Sequence, residues 1–162
     1  NMNSAEMRKE RLKSSSLYLL MKRISVVLDK YYLDGVIGFL PYGIGDVVAA
    51  MFSCVHIYFS LVKLRSFPLT LAIINNALRD IFLGLLPFFI GDVIDFLHQS
   101  NKRNMILIDG FINNDAFIIS KVKREAWKAA LTILALIVAI AALLMVVFKL
   151  TAWLLSFLLS GM

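Results

Sequence analysis

Residues 34–47 read Asp-Gly-Val-Ile-Gly-Phe-Leu-Pro-Tyr-Gly-Ile-Gly-Asp-Val, and residues 80–93 read Asp-Ile-Phe-Leu-Gly-Leu-Leu-Pro-Phe-Phe-Ile-Gly-Asp-Val. Set 46 residues apart, the two stretches are identical at Asp34/Asp80, Gly38/Gly84, Leu40/Leu86, Pro41/Pro87, Ile44/Ile90, Gly45/Gly91, Asp46/Asp92 and Val47/Val93. Matches that include the helix breakers and both acids mark an internal repeat, and a repeat constrains a fold before any single motif does. Each copy places carboxylates inside otherwise apolar sequence.

Composition says where such a unit resides. Sixty per cent of the 162 residues are hydrophobic and 17% charged, against about a quarter charged in soluble domains. Mean hydropathy is +0.80. Ala129 to Phe148 holds twenty residues without a charge, enough for a helix to cross roughly 30 Å of hydrocarbon. Trp127 and Lys128 precede it, and Lys149 and Trp153 follow, where interfacial anchors belong. An integral membrane protein is expected. The first 23 residues carry Arg8, Lys9, Arg11, Lys13, Lys22 and Arg23 without an apolar core, so no cleavable signal is expected there. Cys54 is the single cysteine, so no internal disulfide forms.

The net charge is +6 and the pI near 9.6. The basic residues flank apolar blocks and form no stripe with interleaved aromatics. A bilayer with anionic headgroups is therefore the expected partner, and nucleic acid is not. Residues 1–15 read as a polar, basic, mobile tail. Leu17, Leu20, Met21, Ile24, Val27, Leu28 and Tyr31 then recur at helical spacing, with Ser14 to Ser16 offering the N-cap. This basic amphipathic helix suits the membrane interface.

Gly35 to Val62 carries one formal charge, Asp46, and is interrupted by Pro41, Gly43 and Gly45. The spacing predicts a helix ending near Leu40, a break, and a helix from Asp46 to about Leu64. A basic connector of Lys63, Arg65, Ser66 and Pro68 follows, then a helix from Leu69 to about Leu86, the second break, and a helix from Asp92 to about Ile108. Residues 16–108 thus form a duplicated membrane-embedded domain, 109–125 a linker containing Gly110, Asn113 and Asn114, and 126–160 the C-terminal transmembrane helix. Basic residues flank every apolar block, which positive-inside reasoning reconciles only if each repeat enters and returns on the cytoplasmic side. Two helical hairpins follow, each with its Pro/Gly break at the tip, and half-depth re-entrant hairpins suit blocks of this length. The expected fold is all-α, with the N-terminus at the cytoplasmic face of a bacterial inner membrane.

The acids admit two readings. As N-caps, Asp46 and Asp92 accept backbone N–H bonds at helix starts, and Asp95 sits one turn on, near the positive dipole end. If the breaks lie within the membrane, irregular backbone there must be buried in protein or line a cavity. Acids at that depth then suggest an ion path, as in transporters that pair broken helices. On that reading Asp46, Asp92, Asp95, Asp34 and Asp80 are the path or binding residues, and Gly38, Pro41, Gly45, Gly84, Pro87 and Gly91 the helix breaks. A shared proton or a hard cation is the expected cargo. Asp34 and Asp80 have Arg79 among their possible partners. Self-association is expected, because so short a chain encloses little alone. No metal signature accompanies the acids, no cofactor is expected, and His56 and His98 read as core or interface residues. Nucleophile–base motifs are missing, so an enzyme is not expected. Asn75, Asn76, Asn101 and Asn104 are expected to hydrogen-bond across helices. The competing function is a non-transporting membrane scaffold or envelope-assembly protein in which the acids only cap.

The run from Asp34 to Asp46, with Asn76, Asp80, Gly84, Pro87, Gly91, Asp92 and Asp95 and then Asn101-Lys102-Arg103-Asn104, resembles the uncharacterised bacterial membrane family known as domain-of-unknown-function family 4112. The likeness covers roughly residues 28–108. Tyr42 stands where a glycine commonly follows the proline, and the lead-in at Leu28–Tyr32 is short. The resemblance implies a shared fold and motif and carries no activity with it.

Overall fold

The computed structural model describes residues 3–33, 44–84 and 93–160. The order is α1 (Ser4–Lys13), α2 (Ser16–Leu33), α3 (Ile44–Tyr58) with a π-turn at Phe59–Lys63, α4 (Phe67–Gly84), α5 (Val93–Ile112) and α6 (Ala116–Ser160). Among the described residues there is no strand. The all-α expectation holds. Among the described residues one helix, α6, is long and apolar enough to cross a membrane.

Several boundaries differ from the sequence expectation, each for a local reason. The basic tail is helical. Asn3 and Glu6 form a reciprocal capping box on α1, whose charged interior consists mostly of good helix formers. No residue of α1 is buried, so caps and propensity hold it. Ser15 caps α2, its Oγ accepting from Tyr18 N at 3.4 Å.

The expected linker at 109–125 contracts to residues 113–115. α5 runs on to Ile112, and Gly110 lies inside it. A Cβ there would stand 2.5 Å from Ile118 Cδ1, so the glycine admits close approach of α6 and makes no turn. Asn114 takes the left-handed conformation (φ 53°) that ends the helix. Asp115 Oδ1 then accepts from Phe117 N at 2.9 Å and Ile118 N at 3.1 Å. That cap starts α6 ten residues before the expected transmembrane helix. α3 begins at Ile44, so Asp46 is its third residue and not its N-cap. Likewise α4 begins at Phe67, two residues before its expected start, with Pro68 in the first turn, where a missing N–H costs nothing.

Tyr18, Met21, Phe59, Leu64, Leu69, Ile73, Met105, Ile108, Ile112 and Val122 form the apolar core. Ser60 and Thr70 hydroxyls pair at 3.0 Å where α3 turns into α4. Tyr18 donates to Asp109 Oδ1 at 2.7 Å, tying α2 to α5. Past Val122 no described residue of α6 is buried.

Candidate functional site

Asn76 Nδ2 donates to Asn104 Oδ1 at 2.7 Å, joining α4 to α5 as the asparagines led one to expect. One turn on, Asp80 faces Ser100. The two pairings advance in opposite directions along the two helices, so α4 and α5 are antiparallel. Along this seam the interior is polar: Asn104 is 1% exposed, Ser100 3%, Asn101 6% and Asp80 8%. Asp80 Oδ1, Ser100 Oγ and Asn101 Oδ1 meet no hydrogen-bond partner among the described residues, although the Ser100 hydroxyl is near enough to favour the ionised acid.

Burial pushes Asp80 up to about 6, against the pull of Ser100, Arg103 and Arg79. Arg79 does act on Asp80, and Arg103 acts with it. His56, 2% exposed, is pushed down to about 4 by burial, against a bond to the Phe52 backbone. Tyr18 rises to about 12, through burial first and then Asp109. All three lie outside Ala129–Phe148. An acid near 6 and a histidine near 4 can each change charge in mildly acidic conditions.

Gly84 and Val93, the described residues that flank the second Pro/Gly stretch in sequence, end α4 and begin α5, and the contacts say at which end of the bundle they stand. Gly110 on α5 touches Ile118 on α6 across the three-residue turn. α6 therefore runs opposite to α5 and along α4. Following the Asn76–Asn104 register, Gly110 is level with about residue 70 of α4, and so is Ile118. At about 1.5 Å per residue, Gly84 is then level with about residue 132 of α6. The uncharged stretch of α6 begins at Ala129. The break-bearing ends of α4 and α5 accordingly meet α6 where its apolar half starts, while Leu64–Ser66 lies at the opposite end.

Of the expected site residues, only the side chain of Asp80 falls among those described. Asp46 and Asp95 occupy the third position of α3 and α5, both at the helix ends beside the breaks. Gly84 is the last residue of α4 and Gly45 the second of α3. Asp34, Gly38, Pro41, Pro87, Gly91 and Asp92 lie outside the described residues. No group of three His, Cys, Asp or Glu able to hold a metal occurs among the described residues. Ser100 was not singled out from the sequence, and Arg103 was named only within the Asn101–Asn104 run, with no role beside Asp80. Ser100 follows from pairing α4 with α5 about a centre near residue 90, and Arg103 lies one turn further along α5.

A cleft of about 630 Å³ opens between α5 and α6, with α4 as its floor. Compared with known protein families, the chain matches the family model described as Domain of unknown function (DUF4112) over residues 8–112. No curated protein and no solved structure matches the chain.

Proposed function

The chain belongs to the DUF4112 family, and on that premise we propose that it is a membrane-anchored oligomer carrying a proton or cation path, with acids gathered at two broken helical hairpins. The observation that carries this reading is Asp80. Its carboxyl is buried in a seam of Ser100, Asn101 and the Asn76–Asn104 pair. The seam leads toward the ends where Asp46, Asp92 and Asp95 stand in sequence.

A buried, incompletely paired acid is costly for a purely structural bundle. Such groups concentrate where charge must change or pass. In this reading α6 crosses the bilayer from Ala129, the basic segments Lys63–Arg65 and Lys121–Arg124 stay on the cytoplasmic face, and the two breaks enter the near leaflet. Asp80 then lies just below the hydrocarbon and can exchange protons with Ser100 and the break acids. Duplication of the hairpin gives two breaks on one side, and self-association completes the enclosure.

The test is proton and Na⁺ flux in proteoliposomes for the wild type, Asp80→Asn and Asp95→Asn. Flux in the wild type that falls about tenfold or more in Asp80→Asn supports the path. No flux in a folded wild type ends the transport reading and leaves the scaffold, with Asp46 and Asp92 as structural residues at helix starts.

A further inference from the structure

The cleft between α5 and α6 adjoins the Asp80 seam, sharing Asn76 and Arg103 with it, and opens on the opposite side toward α6. Its walls combine apolar and cationic groups: Ala72, Ile106 and Val122 beside Arg103, Lys121 and Lys128. Its volume falls within the range of ligand pockets, about 300–1,000 Å³. The cations outnumber the acids. Asp115 is committed to the α6 backbone as a cap. Glu125 lies one turn from both Lys121 and Lys128 on the same helix, where they offset it. Two polar atoms at the cleft remain buried and unsatisfied among the described residues, Arg103 Nε and Asn75 Oδ1.

Position decides what such a cleft holds. Arg103 is level with about residue 125 of α6, about 6 Å short of Ala129. That is the depth of a headgroup layer, about 5–8 Å on each face of the bilayer. Lys128 lies at its inner edge, beside the exposed ring of Trp127, with Nζ 5.8 Å from the ring centroid. Aromatic and basic side chains at that level are interfacial anchors. The upper lip of the cleft, at Ala129 and Thr132, opens onto the apolar half of α6.

We propose that this cleft binds one anionic phospholipid, its phosphate held by Arg103 and Lys128 and an acyl chain following α6 past Ala129. Arg103 is the better anchor because its planar guanidinium presents paired donors to a phosphate. The proposal rests on α6 crossing the bilayer and does not depend on ion movement, so a protein that conducts nothing can still bind the lipid.

The full chain, delipidated in a neutral detergent, is melted with dihexanoyl phosphatidylglycerol, dihexanoyl phosphatidylcholine or glycerol phosphate. The expected result is a higher Tm with phosphatidylglycerol alone. Arg103→Gln and Lys128→Gln each weaken its apparent affinity about tenfold, while Lys102→Gln, exposed on α5 beside the cleft, leaves it unchanged. Lys128 is exposed, so its variant folds even if loss of Arg103 disturbs the bundle. Equal shifts with both lipids overturn the proposal, as does an equal loss in Lys102→Gln. A shift with glycerol phosphate matching that with phosphatidylglycerol makes the cleft a soluble-anion site and overturns the lipid.

Discussion

The described residues at the two ends of the bundle differ in kind. At the connector end, near Leu64–Ser66 and Asn113–Asp115, the interior is mostly apolar, with Phe59, Leu64, Leu69, Ile108 and Ile112 around the paired hydroxyls of Ser60 and Thr70. Toward the other end the buried side chains among the described residues are Asp80, Ser100, Asn101 and Asn104 with Ala77 beside them, and the neighbouring surface includes exposed Ile81 and Met51. The first arrangement suits an end that stands in water, where burial of apolar area drives packing. The second suits an end that meets lipid, where apolar burial gains little and polar groups inside hold helices together. On the proposed function, a bundle with these two interiors sits across a membrane boundary, which the register with α6 would set near Ala129.

The largest expected effect separates the ends by stability. Phe59 is fully buried, so Phe59→Ala at the connector end lowers unfolding stability by about 3–5 kcal/mol. Thermal melting in detergent reads it. An effect under about 1 kcal/mol would mean that the apolar core does not hold the bundle.

Next comes pH, where two buried groups oppose each other. Asp80 is raised from 3.8 to about 6, so its burial is free of penalty below about pH 4, and stability is lost as pH rises through 6. His56 is lowered from 6.5 to about 4, so its contribution is present above 6.5 and is lost as pH falls toward 4. Over the same interval the two slopes partly cancel. Asp80→Asn removes one of them: the variant gains up to about 3 kcal/mol at pH 7 and loses stability steadily as pH falls from 6.5 to 4. A wild type and variant with parallel profiles would show that Asp80 is not buried as described.

A smaller effect tests the seam itself. Asn104→Leu leaves the half-buried Asn76 without its partner and costs about 1 kcal/mol, whereas Asn76→Leu/Asn104→Leu together recovers most of that loss. Of similar size is Asp115→Ala, which removes the cap of α6 and costs about 1 kcal/mol. In the seam a single loss and a double loss differ in kind, while at the connector the caps act independently.

The helical architecture was legible because apolar periodicity and a serine start reported it directly, as at Leu17–Tyr31 after Ser14–Ser16, while Pro68 read as connector and is in the first turn of α4. What misled were residues whose local preference gave way to tertiary contact. Gly110 reads as a turn and is a helix–helix contact against Ile118. Arg65 has no propensity for the left-handed region, yet it closes the α3–α4 connection at φ 52°. The charged run Lys121–Glu125 early in α6 read as a linker, but Val122 buried in the core, Ile118 packed against it and the Asp115 cap hold it in the helix. Within the site, the paired asparagines were legible as cross-helix hydrogen bonders. The buried setting of Asp80 was not, since it depends on which residues of α5 come opposite.

The position of the breaks relative to lipid is the claim on which the transport reading stands. It is tested most directly with Cys54 replaced by Ser and single spin labels placed at Ser66, Gly91 and Leu131 in bilayers. Labels at Gly91 and Leu131 shielded from an aqueous quencher and accessible to oxygen, with Ser66 in water, are the predicted result. A Gly91 label as exposed to water as the one at Ser66 would contradict it.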